Sequence, residues 1–155
     1  PLIPYVNDSK KVSEGRREKL YPILTQTALG FSTAWVYPDV IDEINILEAT
    51  KRAFAEAFAK MPIPVTDVLI DALTGLKIAA RQHPMIHGDA LSYSIACASI
   101  IAKVERDRYM IEQDALYPAY GFARNKGYGS AEHIAAIKEF GPCPIHRRTF
   151  LRNYL

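Results

Sequence analysis

Two aspartates lie where short apolar segments of the sequence end. Asp71 closes the segment "DVLIDA", and Asp89 follows "PMIH" within the stretch "MIHGDALSYS". If these segments are neighbouring strands, the two carboxylates come close together, and a divalent cation or a raised pKa relieves their repulsion. Ligands also favour the carboxyl ends of strands in open α/β sheets. A structural interpretation stands beside this one, in which Asp89 caps a helix beginning near Ser92 and Asp71 begins a turn before "ALTG".

A second stretch, "ARNKGYGS", combines cations with a tyrosine between glycines. Arg124 and Lys126 are suited to neutralising phosphates, and the ring of Tyr128 is suited to stacking on a sugar or base. The alternative is an exposed loop whose tyrosine anchors it to the core. Further cations stand in "NDSKK" and "IHRR", namely Lys10, Lys11, Arg147 and Arg148. Residues 120–155 carry six arginines and lysines against two glutamates, which suits either a phosphate backbone or a solvated surface.

The histidines indicate no nucleophilic triad. His83 and His87 are four residues apart, but Pro84 between them prevents a shared helical face, so no metal pair is expected there. His133 is predicted to lie on a surface helix. His146 adjoins the arginines, where it either contacts phosphate or has a structural role.

The elements that position these residues alternate between helix and strand. Hydrophobic periodicity and end signals predict helices over 14–29, 45–60, 92–114 and 131–140, and a short helical turn after Pro38. The segments "FSTAWVY" (31–37), "DVLIDA" (67–72) and "PMIH" (84–87) are predicted strands, the second of them buried. The first half of the helix over 92–114 carries small uncharged residues, which predicts burial on most sides. Residues 117–130 are a predicted loop.

Composition narrows the class of protein. The chain has 155 residues, of which 49% are hydrophobic and 23% charged, as expected of one globular α/β domain. A net charge of only +2 does not by itself indicate a nucleic-acid partner. The longest uncharged apolar stretch, 90–102, is too short to cross a bilayer, and no secretory signal opens the chain. Cys97 and Cys143 are too few for a disulfide framework or zinc site, which predicts a reduced, cytoplasmic protein.

Six stretches together resemble one family, ribonuclease HII, the type 2 ribonuclease H. In chain order they are "NDSKKVSEGRREKLY", "IDEINILEATKRA", "VLIDAL", "HGDALSYSIACASIIAKVERDRYM", "YPAYGFARNKGYGSAEH" and "GPCPIHRRTF", which run from Asn7 to Phe150. The resemblance implies an RNase H-like fold, with a mixed sheet flanked by helices. It makes 1–155 a single domain, in which 115–155 form a substrate-binding loop and helices.

The same resemblance implies an activity and a site. The family hydrolyses the RNA strand of RNA–DNA hybrids and cuts on the 5′ side of single ribonucleotides in duplex DNA, leaving 3′-hydroxyl and 5′-phosphate ends. Four carboxylates hold Mg²⁺ or Mn²⁺. Asp71 matches the acid ending the family's fourth strand, Asp89 matches the acid of its Lys-Gly-Asp motif, and Tyr128 matches the tyrosine that packs on the deoxyribose 3′ to the ribonucleotide. The cations expected near phosphates are Lys10, Lys11, Lys126, Arg147 and Arg148. The chain is expected to be a monomer when complete.

Departures from the family pattern lie beside these ligands and before them. Ala72 stands where the family usually has glycine, and His87 where lysine usually precedes Gly-Asp. The family's first strand bears Asp-Glu-x-Gly-Arg-Gly, which supplies two of the four acids and the group that recognises the 2′-hydroxyl, and a second apolar strand follows it. Neither appears in this sequence, which begins "PLIPYV". We therefore expect that an N-terminal segment is missing and that these residues alone are inactive. The alternative is a non-catalytic nucleic-acid-binding remnant of the same fold.

Overall fold

The protein is described by a computed structural model that covers residues 2–154. The helices are α1 (Glu14–Thr27), α2 (Pro38–Ile44), α3 (Ile46–Ala59), α4 (Gly88–Leu91), α5 (Tyr93–Leu116), α6 (Phe122–Asn125) and α7 (Ala131–Phe140). The strands are β1 (Asp67–Asp71) and β2 (Arg81–Met85), and 3-10 turns span Pro118–Tyr120 and Arg148–Phe150. The described residues divide into two compact units. The first unit comprises 2–35 and 51–104, and the second comprises 36–50 and 105–154.

The first unit contains the parallel pair β1–β2. Asp67 lies opposite Arg81 and Asp71 lies opposite Met85, so the carboxyl ends of both strands meet at one edge. The strand predicted at 67–72 is confirmed, whereas the second strand begins three residues before its predicted start and ends two residues before its predicted end. The predicted burial of β1 is wrong for one face: Ile70 is 1% exposed, but its neighbour Leu69 is 44% exposed. Successive side chains of a strand point to opposite faces, and only one face of β1 is covered.

The strand predicted over 31–37 is wrong. These residues adopt neither helix nor strand, and the sheet in the described part of the chain consists of β1 and β2. The hydroxyl of Ser32 donates to the Ala57 carbonyl at 2.6 Å, so this part of the segment is held by a helix. Aromatic and β-branched residues favour a strand only where a partner supplies the ladder, and residues 2–154 supply none here.

The core of the first unit joins α1 to the first half of α5. Leu20 and Leu24 of α1 pack with Ile100 and Val104 of α5. The helices predicted over both segments are confirmed, with Pro22 inside α1. The predicted burial of the small residues on most sides is wrong, because Ala96 is buried whereas Ala98, on another side of α5, is exposed. A helix buries the face that meets a neighbour, and small residues elsewhere remain in water.

The second unit is built around α7 and the aromatic residues before it. Tyr120 and Phe122 stack with ring centroids 5.5 Å apart, and the Tyr120 hydroxyl donates to the Gly141 carbonyl at 2.8 Å. The surrounding core residues are Met110, Ala136, Ile137, Cys143 and Leu151. The predicted helices at α2 and α7 are confirmed, and the predicted loop contains the short helix α6. None of the helices seen in residues 2–154 combines the length and apolarity that a bilayer crossing requires.

Candidate functional site

Asp71 is held against the turn that carries Asp89. Its Oδ1 accepts a hydrogen bond from the Gly88 amide at 2.8 Å. A Cβ at position 88 would lie 3.3 Å from that oxygen and 2.6 Å from Cδ1 of Ile95, so a larger residue would require the Ile95 side chain and the Asp71 carboxylate to shift. Asp89 follows in the first turn of α4. We predicted that the two aspartates lie close together at one edge of the sheet. The structure shows a direct contact between the end of β1 and the turn after β2, which is consistent with that prediction.

Neither structural alternative for these aspartates describes the observed contacts. Helix α5 begins at Tyr93, and its N-terminal amide at Ile95 donates to the Ser92 hydroxyl at 3.4 Å. Asp89 lies inside α4, and the residue directly before α5 is Ser92, so the interpretation that Asp89 caps the later helix is wrong. The Asp71 carboxylate accepts from Gly88, seventeen residues away, rather than from a local turn.

The two residues that depart from the family pattern beside the aspartates have left-handed backbone conformations. Ala72, directly after Asp71, has φ 52°, and His87, directly before Gly88, has φ 57°. Glycine adopts this region without steric cost, whereas an alanine Cβ approaches the following carbonyl oxygen. The glycine usual in the family is therefore the residue that the backbone at position 72 favours.

The oxygens of Asp71 and Asp89 are hard donors of the kind that Mg²⁺ and Mn²⁺ prefer. Within residues 2–154 no group of three or more histidines, cysteines, aspartates and glutamates is arranged to hold a metal ion. The two aspartates fit a divalent cation in donor type, and the metal site expected at them stays a prediction. His83 lies in the middle of β2, opposite Leu69, and its Nε2 is 3.0 Å from Oδ1 of Asp67 at the start of β1.

Lys10 and Lys11 occupy a turn in the first unit. Asp8 accepts from the Lys10 amide through its side chain and from the Lys11 amide through its carbonyl, each at 2.9 Å. The buried guanidinium of Arg17 donates to the carbonyls of Ser9 and Val12, which flank the two lysines. Both lysine side chains are exposed. Sequence reasoning missed Arg17, since nothing in "EGRREK" separates a buried arginine from its exposed neighbours.

Tyr128 is presented by a tightly hydrogen-bonded loop in the second unit. Its side chain is 60% exposed, and the guanidinium carbon of Arg106 lies 5.3 Å from its ring centroid. Arg106 also donates to the Lys126 carbonyl at 2.8 Å. Asn125 accepts from the Gly127 amide at 2.8 Å and donates to the Tyr120 carbonyl at 2.6 Å. The alternative in which the tyrosine anchors the loop is wrong, because Arg106 and Asn125 do so and the tyrosine ring is exposed.

The two cations of this loop are engaged inside it. Lys126 is 7% exposed, and its ammonium group donates to the Ala123 carbonyl. Arg124 pairs with Glu132. These contacts favour a role in shaping the loop, while the expected phosphate contact of Lys126 stays a prediction.

Arg147 and Arg148 differ in their surroundings. The Arg147 guanidinium lies 3.8 Å from the Phe150 ring centroid, and burial, followed by repulsion from Arg106, lowers its pKa. Arg148 is exposed, and its amide donates to Oδ2 of Asp42 at 2.7 Å. The amide and hydroxyl of Thr149 donate to Oδ1 of the same carboxylate. Asp42 thus holds the arginine-bearing segment, a role that the sequence did not reveal.

His133 contradicts the surface position predicted for it. It lies on α7 as predicted, but only 3% of it is exposed, on the face that carries Ala136 and Ile137. His146 is also buried.

The structure is similar to the crystal structure of the ribonuclease H2 from Pyrococcus horikoshii OT3. The TM-score is 0.78 at 27% sequence identity, and the match covers 94% of this chain and 76% of that chain. The fold is therefore RNase H-like, as predicted. In the described residues of this chain, the sheet consists of the parallel pair β1–β2.

Sequence comparison identifies the family. The family model of ribonuclease HII matches residues 5–153. The ribonuclease HII of Ruminiclostridium cellulolyticum is 51% identical over 150 residues, covering 97% of this chain and 59% of the relative. That of Acetivibrio thermocellus is 52% identical over 155 residues, covering 99% and 60%. The chain belongs to the ribonuclease HII family, as predicted, and spans about three fifths of the length of these relatives.

Proposed function

We propose that the protein is a type 2 ribonuclease H. It hydrolyses the RNA strand of RNA–DNA hybrids and cuts on the 5′ side of single ribonucleotides in duplex DNA. The observation that carries this proposal is the contact between Asp71 and Gly88 at 2.8 Å, which brings one acid to the turn bearing the other. Membership of the ribonuclease HII family supports the same activity.

Asp71 and Asp89 are the residues of this chain that would hold Mg²⁺ or Mn²⁺. When bound, a divalent pair would lower the pKa of an attacking water and stabilise the leaving oxygen. The Gly88 amide occupies Oδ1 of Asp71 and so fixes the orientation of that carboxylate. The acids of the Asp-Glu-x-Gly-Arg-Gly motif have no counterpart in this sequence, so the two aspartates provide half of the expected carboxylate charge.

Substrate binding is assigned to one exposed ring and several cations. Tyr128 would pack on the deoxyribose 3′ to the ribonucleotide, and its 60% exposure is compatible with that contact. Exposed Lys10, Lys11 and Arg148 are suited to backbone phosphates. Arg147 and Lys126 are more enclosed. We assign them to backbone phosphates as well, in addition to the contacts that each makes within the protein. The reduced, cytoplasmic compartment expected from the cysteines stays a prediction.

A non-catalytic nucleic-acid-binding role is the second candidate. The exposed ring of Tyr128 and the exposed Lys10 and Lys11 favour it, because nucleic-acid binding can use them without a metal. Under this alternative the loop around Tyr128 and the lysine turn retain binding while cleavage is lost.

A nicking assay distinguishes the two candidates. The native protein containing these residues is incubated with a duplex carrying one ribonucleotide, in Mg²⁺ or Mn²⁺. Asp71→Asn and Asp89→Asn each remove a ligand charge, so turnover should fall by orders of magnitude while duplex binding changes far less. Asp67→Asn is the matched control, because Asp67 lies at the opposite end of β1, paired with Arg81. Near-wild-type nicking by either test variant would show that the metal site is assigned wrongly, and an inactive wild type would favour the binding role.

A further inference from the structure

Two buried histidines form a direct contact that the proposed cleavage chemistry does not use. Nε2 of His133 lies 3.0 Å from Nε2 of His146, and the side chains are 3% and 9% exposed. Two imidazoles can share a hydrogen bond only if one donates and the other accepts. Their protonation is therefore determined by what each ring meets on its other nitrogen.

Backbone groups determine both roles. The Cys143 amide donates to Nδ1 of His146 at 3.0 Å, so that nitrogen carries no proton and a neutral His146 is protonated on Nε2. Nδ1 of His133 lies 2.8 Å from the Tyr128 carbonyl, which can only accept, so His133 is protonated on Nδ1. Its Nε2 is then free to accept from His146. The result is a hydrogen-bond chain with one direction, from the Cys143 amide through His146 and His133 to Tyr128.

The chain ends on the backbone of the residue assigned to the substrate. The Tyr128 carbonyl also accepts from the Ser130 amide at 2.9 Å, and the Tyr128 amide donates to the Asn125 carbonyl at 2.8 Å. Every backbone group of Tyr128 is thus bonded while 60% of the residue is exposed. His133 supplies one of these bonds from α7, an element that the core holds in place.

The surroundings of His146 favour its neutral ring. Burial, followed by repulsion from His133, lowers the pKa of His146. Cys143 and Tyr120 pack against the pair, and burial raises the pKa of each, which keeps them uncharged. An adjoining cavity of about 230 Å³ is lined by both histidines, and its other titratable or charged groups among the described residues are Arg106, Arg147 and Tyr154. No carboxylate of the described part of the chain lines this cavity to favour an imidazolium.

We propose that His133 and His146 are positioning residues, whose one-directional hydrogen-bond chain holds the Tyr128 backbone so that the ring meets the substrate. The substrate part of this inference rests on the proposed function. A proton added to either ring would make two donors face each other, at the contact between the rings or at the Cys143 amide. The chain therefore exists only when both histidines are neutral.

The first measurement is independent of activity. Long-range ¹H–¹⁵N spectra of the histidine side chains in the native protein at neutral pH report which nitrogen carries the proton. We expect Nδ1–H for His133 and Nε2–H for His146. Any other pair of tautomers would overturn the hydrogen-bond chain, whether or not the protein cleaves nucleic acid.

The second measurement is a double-mutant cycle on single-ribonucleotide nicking. Tyr128→Ala should lower kcat/KM about 5- to 160-fold if stacking is lost. His133→Leu removes the donor to the Tyr128 carbonyl and should lower kcat/KM in the same direction. The loss in the double variant should be smaller than the product of the two single losses, because both changes affect one contact. His133→Asn keeps a donor near the Nδ1 position and should recover most of the activity lost in His133→Leu.

The controls separate the two proposals. If His133→Leu does not fold, His146→Leu replaces it in the cycle, since it removes the donor to His133 while leaving α7 unchanged in sequence. Independent, multiplicative losses, or equal losses in the leucine and asparagine variants, would overturn the positioning role. If Tyr128→Ala nicks like wild type, the assignment of Tyr128 to the substrate fails, and the tautomer measurement still decides whether the hydrogen-bond chain exists.

Discussion

The guanidinium carbon of Arg106 lies 5.3 Å from the centroid of the Tyr128 ring, over a side chain that is 60% exposed. The same guanidinium donates to the Lys126 carbonyl, so its position is fixed by the loop that it helps to hold. A positive charge and an aromatic face are thereby presented together. That combination suits a nucleotide, because the ring can stack on the sugar or base and the guanidinium attracts the negatively charged phosphate.

Replacing Tyr128 tests the importance of the ring face. Tyr128→Ala should weaken nicking at a single embedded ribonucleotide by roughly 1–3 kcal/mol, whereas Tyr128→Phe retains the ring and should have a milder effect. Steady-state kinetics on one duplex with one ribonucleotide measures both. Equal and severe losses would indicate that the hydroxyl matters and that stacking does not.

The 155 residues alone should not nick. Asp71 and Asp89 provide half of the expected acids, and one weakly held cation does not support a two-metal displacement. A polypeptide of this sequence should also bind nucleic acid weakly and in a salt-sensitive way. The measurements are nicking in Mg²⁺ and Mn²⁺ and duplex binding as a function of salt concentration.

The matched comparison is a fusion that restores an Asp-Glu-x-Gly-Arg-Gly strand and the strand after it. The fusion should gain nicking and unfold more cooperatively, since added strands would cover apolar groups such as Leu69, which is 44% exposed. Metal-dependent nicking by the 155 residues alone, abolished by Asp89→Asn, would contradict this expectation.

Ala72→Gly should stabilise the protein. Residue 72 has φ 52°, where an alanine side chain costs roughly 1–2 kcal/mol and glycine costs part of this through backbone entropy. The expected net gain is about 0.5–1 kcal/mol in the free energy of unfolding, measured with denaturant. Ala98→Gly is the control, because Ala98 is exposed within α5 and glycine there should destabilise by about 1 kcal/mol. A loss of stability in Ala72→Gly would show that no strain is relieved at this position.

Stability should fall as the pH drops through the histidine range. Burial and the neighbouring His133 lower the folded-state pKa of His146 from its usual 6.5, so below that pH the unfolded chain binds more protons than the native protein. The free energy of unfolding is therefore retained above about pH 6.5 and declines below it. Denaturant unfolding between pH 7.5 and pH 5.5, values chosen about one unit on either side of the unperturbed pKa, measures this slope. His146→Asn should flatten it, and an unchanged slope in that variant would assign the effect to other groups.

Several features of the fold were predictable from residue order because their causes are local. The helices α1, α3, α5 and α7 were predictable because their apolar residues recur at helical spacing, and this pattern lies within each segment. The strand at β1 follows a short apolar run, and the two aspartates were identifiable because they end such segments. Spacing alone allowed either a chemical or a capping role for these aspartates. The family resemblance implied the chemical one.

The features that were mispredicted depend on distant partners. Residues 31–37 have the composition of a strand, but a strand requires a ladder partner, and residues 2–154 bring none to that segment. His133 lies on a helix whose ends were predictable, yet which face of that helix is covered depends on Tyr120, Phe122 and His146 from other segments. Burial is a property of what packs against a residue, and periodicity only limits the choice of face.

The sequence by itself determined the family, the candidate acids Asp71 and Asp89 and the loop around Tyr128, because these depend on residue type and order. Only the tertiary structure decided that the Asp71 carboxylate bonds to Gly88, that Asp42 holds the Arg148 segment, and that a histidine pair is bonded to the Tyr128 carbonyl. Each of these contacts joins residues that are separated along the chain or that share a face only after folding. Hydrogen bonds need their donors and acceptors within about 3 Å, and it is the packing of the elements that creates those distances.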